Sequence, residues 1–111
     1  MTVTARPLVT AQYAPNAETT MYTAPASTRT IIDKCTVTNG TAGAVTIAIK
    51  LVPNAGSAGA SNQVISKSLA AGEAYTCPEV VGHVLESGGV VSVLAGAASS
   101  IVIRMSGREV T

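Results

Sequence analysis

The sequence predicts an all-β chain: an antiparallel β-sandwich or jelly roll of seven to eight strands with an extended N-terminal arm. Three observations predict it. Short runs rich in Val, Ile and Thr alternate apolar and polar residues with the period of two that a strand imposes. Clusters of Gly, Pro, Asn and Ser separate those runs. No convincing amphipathic helix interrupts them, so antiparallel sheets are the natural class.

Residues 1–18 read as an arm, and residues 19–111 as one sandwich domain. Pro7 and Pro15 argue for extended chain, and Leu8, Val9 and Tyr13 supply apolar contacts. Such an arm adds an edge strand to its own sheet or to a neighbouring copy. On this reading, deletion of residues 1–18 weakens assembly and leaves the sandwich folded. Thr19–Ala24 is a short strand closed by Pro25. Arg29–Asn39 and Ala44–Pro53 flank the turn Gly40-Thr-Ala-Gly43 and read as a β-hairpin. Ile31, Asp33, Cys35 and Val37 share one face of the first run; Val45, Ile47, Ile49 and Leu51 share one face of the second. Asp33 on an apolar face needs a partner or a place at the sheet margin.

Asn54–Asn62 is a loop of small residues. Gln63–Leu69 and Ala74–Cys77 follow as strands around the turn Ala70–Glu73. Glu79–Leu85 is ambiguous between extended chain and a helical turn. Val90–Ala95 and Ser100–Ser106 close the chain as strands, with Ile101, Ile103 and Met105 on one face and a tail that extends the last one. Gly40, Gly56, Gly72 and Gly88 are evenly spaced, but their flanks differ, so they mark a strand–turn rhythm and not a repeat.

Composition narrows function by exclusion. A chain of 111 residues is one domain, with about 5,700 Å² left exposed on folding. The core must be aliphatic, since Phe and Trp are absent and there are three Tyr. Charged residues make up 12%, where about 25% is usual. A surface that poor in charge predicts burial of part of it against other subunits. The seven Lys and Arg are scattered, so a nucleic-acid partner is not expected. No apolar run reaches the length of a membrane span, and no apolar leader follows Arg6. Cys35 and Cys77 are then expected as free thiols in a cytosol, with a bridge between them left open.

A catalytic reading finds little to build on. His83 is the one histidine, set in Val-Gly-His-Val without a recognisable partner. The acids Glu18, Asp33, Glu73, Glu79, Glu86 and Glu109 are far apart, and no metal-ligand spacing joins them to the cysteines. The Gly-rich loop lacks the Gly-Lys-Ser/Thr of a phosphate cradle. The expectation is a protein without catalytic residues, cofactor or metal.

Met21-Tyr-Thr-Ala-Pro-Ala-Ser-Thr-Arg29, Thr36-Val-Thr-Asn39 and Leu51-Val-Pro53 resemble small virion proteins of tailed bacteriophages. So do Leu69-Ala-Ala-Gly-Glu-Ala-Tyr-Thr-Cys-Pro-Glu79, Gly82-His-Val-Leu-Glu86 and Val91-Ser-Val93. The resemblance spans most of the chain after residue 18 and rests on turn-and-strand patterns. It implies a β-sandwich capsid cement or decoration protein, assembled in the bacterial host cytoplasm and carried on the virion. Its partners would be the major capsid protein and copies of itself, with no nucleic acid and no membrane. A tail, head–tail or fibre component is the alternative, and a carbohydrate- or receptor-binding sandwich a second. The expected contact residues are Leu8, Val9 and Tyr13 of the arm and Thr36, Thr38, Thr46 and Ala48 of the hairpin's outer face.

Overall fold

A computed structural model describes all 111 residues, Met1–Thr111. Nine strands form: β1 (Val3–Tyr13), β2 (Thr19–Thr23), β3 (Arg29–Asn39), β4 (Val45–Val52), β5 (Gln63–Leu69), β6 (Ala74–Tyr75), β7 (Val84–Leu85), β8 (Val90–Ala95) and β9 (Ile101–Val110). The sole helical element is a 3-10 turn at Ala60–Asn62. Sheet A runs β1-β9-β3-β6, with β7 also on β3; sheet B runs β2-β8-β4-β5. Every pairing is antiparallel.

The register explains this strand order. Val3 faces Val110, Thr20 faces Ser92, Val37 faces Tyr75 and Val45 faces Leu69. All four pairs are centred on the same point of the chain, beside Gly56 in the Asn54–Asn62 loop. The molecule is therefore one long two-stranded ribbon, folded back at that loop and rolled up. Rolling brings β3 against β9 and β4 against β8, which turns the ribbon into two sheets, one of five strands and one of four. This is the jelly-roll arrangement, with the strand opposite β3 broken into β6 and β7.

Two expectations are corrected. β3 and β4 are not a hairpin, because they belong to opposite sheets. Each buries one face in the same core, so the link between them must cross the sandwich. Asn39 holds that crossing. Its side chain donates to the carbonyls of Gly43 (2.8 Å), Leu69 (3.0 Å) and Ala70 (3.3 Å) and accepts from the Thr41 amide (3.0 Å) and hydroxyl (2.7 Å). Nor is the N-terminal segment an arm apart from the sandwich. Val3–Tyr13 is the edge strand of sheet A, paired with β9 of its own chain from Val3 to Tyr13. Register shifts beside Val9 place Leu8 and Val9, though adjacent, both in the core.

The core is aliphatic as composition requires. Ile32, Cys35, Val37, Ile101, Ile103 and Met105 project from sheet A against Ile47, Ile49, Ile65, Leu69, Val91 and Val93 of sheet B. The shared face expected for Ile31, Asp33, Cys35 and Val37 is broken by a bulge between Ile32 and Lys34. Before the bulge Thr30 and Ile32 point inward; after it Cys35, Val37 and Asn39 do. Asp33 is thereby turned out, where Arg108 grips it with two nitrogens at 2.9 and 3.0 Å. Gly107 sits across from the bulge. A Cβ there would run into the Ile31 carbonyl and stand 2.8 Å from Leu8 Cδ1, so the tight crossing of β1, β9 and β3 requires a residue without one.

Candidate functional site

The expected contact residues do not form one surface. Leu8 and Val9 lie in the core. Thr36 and Thr38, half-buried, alternate with inward Cys35 and Val37 and so face outward from sheet A. Thr46 (exposed) and Ala48 (half-buried) alternate with Ile47 and Ile49 and face outward from sheet B. The two pairs stand on opposite sides of the sandwich because β3 and β4 are in different sheets. Tyr13 is 56% exposed at the end of β1.

The two outer faces differ in charge. Sheet A presents Asp33, Lys34, Arg104 and Arg108 around Thr36 and Thr38. Sheet B presents Thr20, Thr46, Ala48, Ser66, Ser68 and Leu94, with Ala48 flanked by Ser66 on one side and Leu94 on the other. The cation of this outer face is Lys50, which is buried and bonded to Glu18; the sheet's other lysine, Lys67, alternates with Ser66 and Ser68 and turns to the other side, over Tyr75. The other Glu18 oxygen accepts from the Ser92 hydroxyl at 2.6 Å. Burial pushes the Glu18 carboxyl up, but its hydrogen bonds from Lys50 and Ser92 outweigh that and hold it below its ordinary value of 4.5. This face is thus neutral. A cleft of about 450 Å³ runs over it between Asn16, Thr46, Ser66 and Leu94.

Three other polar clusters are stitches between elements. Glu109, on the inward face of β9, accepts from Arg6 (3.1 Å) and from the Tyr22 hydroxyl (2.5 Å); Tyr22 also shares a bond with Thr30 (2.8 Å). Tyr22 comes from sheet B and the rest from sheet A, so the cluster ties the sheets together at one end. Burial first, then the bond to Glu109, pushes Tyr22 up to about 12. At the opposite margin Lys67 lies over the Tyr75 ring, 4.8 Å from its centre, and Tyr75 donates to Glu79 at 2.6 Å. Arg29 and Glu86 form an exposed pair at 3.0 Å.

None of these arrangements assembles a nucleophile, a base and an orienting group. His83 is exposed beside a cleft of about 480 Å³ lined also by Asn54, Asn62, Gln63 and Glu86. No three His, Cys, Asp or Glu side chains converge on a metal position. No helix is long and apolar enough to cross a membrane. Of the tyrosines that a sugar would stack on, Tyr22 and Tyr75 are engaged within the chain, leaving Tyr13 free.

Sequence reasoning passed over Asn39, Lys50 and Glu109. Each carried a signal: Asn39 ends the inward series Cys35, Val37; Lys50 interrupts the apolar run of β4; Glu109 continues the inward series Ile101, Ile103, Met105. A polar residue on a core-facing period, as Asn39 and Glu109 are, marks a buried bond, and a lone lysine in an apolar run, as Lys50 is, marks a paired charge. No protein-family model, curated protein or solved structure matches this chain.

Proposed function

We propose that the protein is a non-enzymatic structural component of a bacteriophage virion, a capsid cement or decoration protein that packs on the major capsid protein lattice. The observation that carries this reading is the neutral outer face of sheet B. A face of Thr, Ser, Ala and Leu, with its one lysine neutralised internally, loses little hydration when another surface covers it. The charged face of sheet A, with Lys34 and Arg104 unpaired, suits solvent. The jelly-roll fold also occurs in viral capsid domains, though equally in lectins, so it supports the reading only as analogy. Many copies, each held by modest contacts with the shell and with neighbours, give the avidity a cement needs.

Quantitative gel analysis of purified virions tests the proposal, with hundreds of copies per particle expected. A few copies per particle would instead place the chain in a tail, head–tail or fibre assembly. Ala48→Glu should abolish incorporation while the variant stays folded, because it puts a charge in the centre of the neutral face. Thr36→Glu, on the other side, should leave incorporation intact. Equal incorporation of the two variants would refute the assignment of this face.

A further inference from the structure

The segment Thr76–Gly82 loops out of sheet A where β6 and β7 are separated, then returns to β3 through bonds from the Gly82 amide to the Ile32 carbonyl (2.7 Å) and from the Ile32 amide to the His83 carbonyl (3.0 Å). Val80 plugs it into the core, while Pro78, Glu79, Val81 and Gly82 are exposed. Cys77 opens this excursion with a positive φ of 49°, a backbone conformation that residues other than glycine rarely adopt. Its thiol is fully buried.

What faces it is Cys35. β3 and β6 pair Val37 with Tyr75 and Thr38 with Ala74, and continuing that register puts Cys35 opposite Cys77. Directly opposed residues of an antiparallel pair have Cα atoms roughly 4.5–5.5 Å apart, inside the window of about 4.4–6.8 Å that a disulfide spans. Both are free thiols, and both are fully buried. They are the chain's two cysteines, so an intramolecular bridge has one possible form.

We propose that Cys35 and Cys77 are an oxidative modification site: a small-molecule disulfide of the glutathione class converts them to an intramolecular bridge that locks the Thr76–Gly82 excursion onto β3. Local opening of the excursion brings Cys77 to solvent, whereas Cys35 stays within the central pairing of β3 and β9. The Cys77 thiolate attacks one sulfur of the oxidant, breaking its S–S bond and releasing one glutathione thiolate. Opened to solvent and away from Cys35, Cys77 ionises as an ordinary exposed thiol does, and its thiolate fraction is the nucleophile. As the excursion closes, Cys35 attacks the Cys77 sulfur and its proton passes to the second glutathione, which leaves as the thiol. Two protein thiols are oxidised and one glutathione disulfide is reduced to two thiols. The inference stands apart from the functional reading above, since it depends only on the register and burial of the pair.

The test is incubation of the folded full-length protein with glutathione disulfide, followed by intact-mass measurement and urea denaturation. The expected product is a monomer lighter by two hydrogen atoms, with a raised urea midpoint that dithiothreitol returns to its starting value. In Cys35→Ala, Cys77 should instead stop at the glutathione adduct. Should that variant fail to fold, the wild-type mass and midpoint still decide the matter. Unreacted thiols, a persistent adduct on the wild-type protein, or disulfide-linked dimers would each overturn the proposal.

Discussion

Single side chains set how this sandwich closes, and Asn39 bears the most. It is fully buried and serves three carbonyls and one amide of two segments, Thr41–Gly43 and Leu69–Ala70. Asn39→Ala strands those groups out of water, at a cost of about 1–3 kcal/mol for each left unsatisfied. The urea midpoint should drop by an amount equivalent to about 2–5 kcal/mol; a change within error would mean that water replaces the amide. Gly107→Ala should cost about 1–3 kcal/mol by overpacking against Ile31 and Leu8, read by the same titration. Glu18 gives the chain an acid-sensitive limb. Its folded carboxyl lies below 4.5, so the stability it contributes is complete above that value and is lost as pH falls through its folded pKa. Wild type should lose stability steadily below about pH 4.5, the carboxylate reference range. Glu18→Gln should be less stable at neutral pH and show a shallower acid slope. Glu79, held down by the Tyr75 hydroxyl at the surface, works in the same direction in both proteins, so the difference in slope isolates Glu18. Parallel slopes would remove Glu18 from the account.

Among the elements, β1 is where reading and structure part most sharply. Pro7, Pro15 and a short apolar alternation look like a detachable arm. Yet Leu8 and Val9 occupy the core, Arg6 reaches Glu109, and Glu18 caps Lys50. Burying the two aliphatic side chains contributes about 3–6 kcal/mol, against a total of roughly 5–15 for a domain of this kind. Deleting residues 1–18 should therefore abolish cooperative urea unfolding and most of the β circular-dichroism signal, the reverse of what the sequence suggested. A truncated chain that keeps both would restore the arm. The limits of sequence reading are physical. The apolar runs of β5 and β8 and the alternation of Ile101, Ile103 and Met105 located those strands, whereas Gly107–Val110, which carry no apolar period, were read only as a tail extending Ser100–Ser106 and are part of β9. The same alternation in β3 and β4 could not say whether the two pair with each other, since strands in one sheet and strands across a core show the same pattern. It also failed at Asp33, where a bulge of one residue swaps the faces. The neutral face of sheet B was half legible. Thr46 and Ala48 were recognised as outward, but Thr20, Ser66 and Leu94 joined them only once the strand order was known.

At the scale of the whole molecule, the rolled ribbon makes its two ends interchangeable. The turn at Asn54–Asn62 is one end. The other is open, where the chain termini lie side by side: the Thr2 amide donates to the Thr111 carbonyl at 3.0 Å, and the Thr111 amide to the Thr2 carbonyl at 2.9 Å. Two residues that exchange both bonds are the flanks a two-residue hairpin turn requires, and Asn-Gly is the pair that best adopts it. A permuted chain can therefore start at Ser57, run to Thr111, pass through Asn-Gly to Thr2 and end at Gly56. The cut falls among exposed loop residues. It keeps the bond from the Gly56 amide to the Pro53 carbonyl and that from Asn62 Nδ2 to the Ser57 carbonyl. No buried side chain and no ladder bond is lost, so stability by urea denaturation should stay within about 1 kcal/mol of the natural order. Folding rate should not stay the same. In the natural chain β4 and β5 are the most local of the nested pairs and β1–β9 the most distant; permutation exchanges those roles and alters which loop must close first. Stopped-flow refolding should thus show a changed folding rate with a nearly unchanged midpoint. A permuted chain that cannot fold would mean that the Asn54–Asn62 turn nucleates the ribbon, and that its ends are not equivalent.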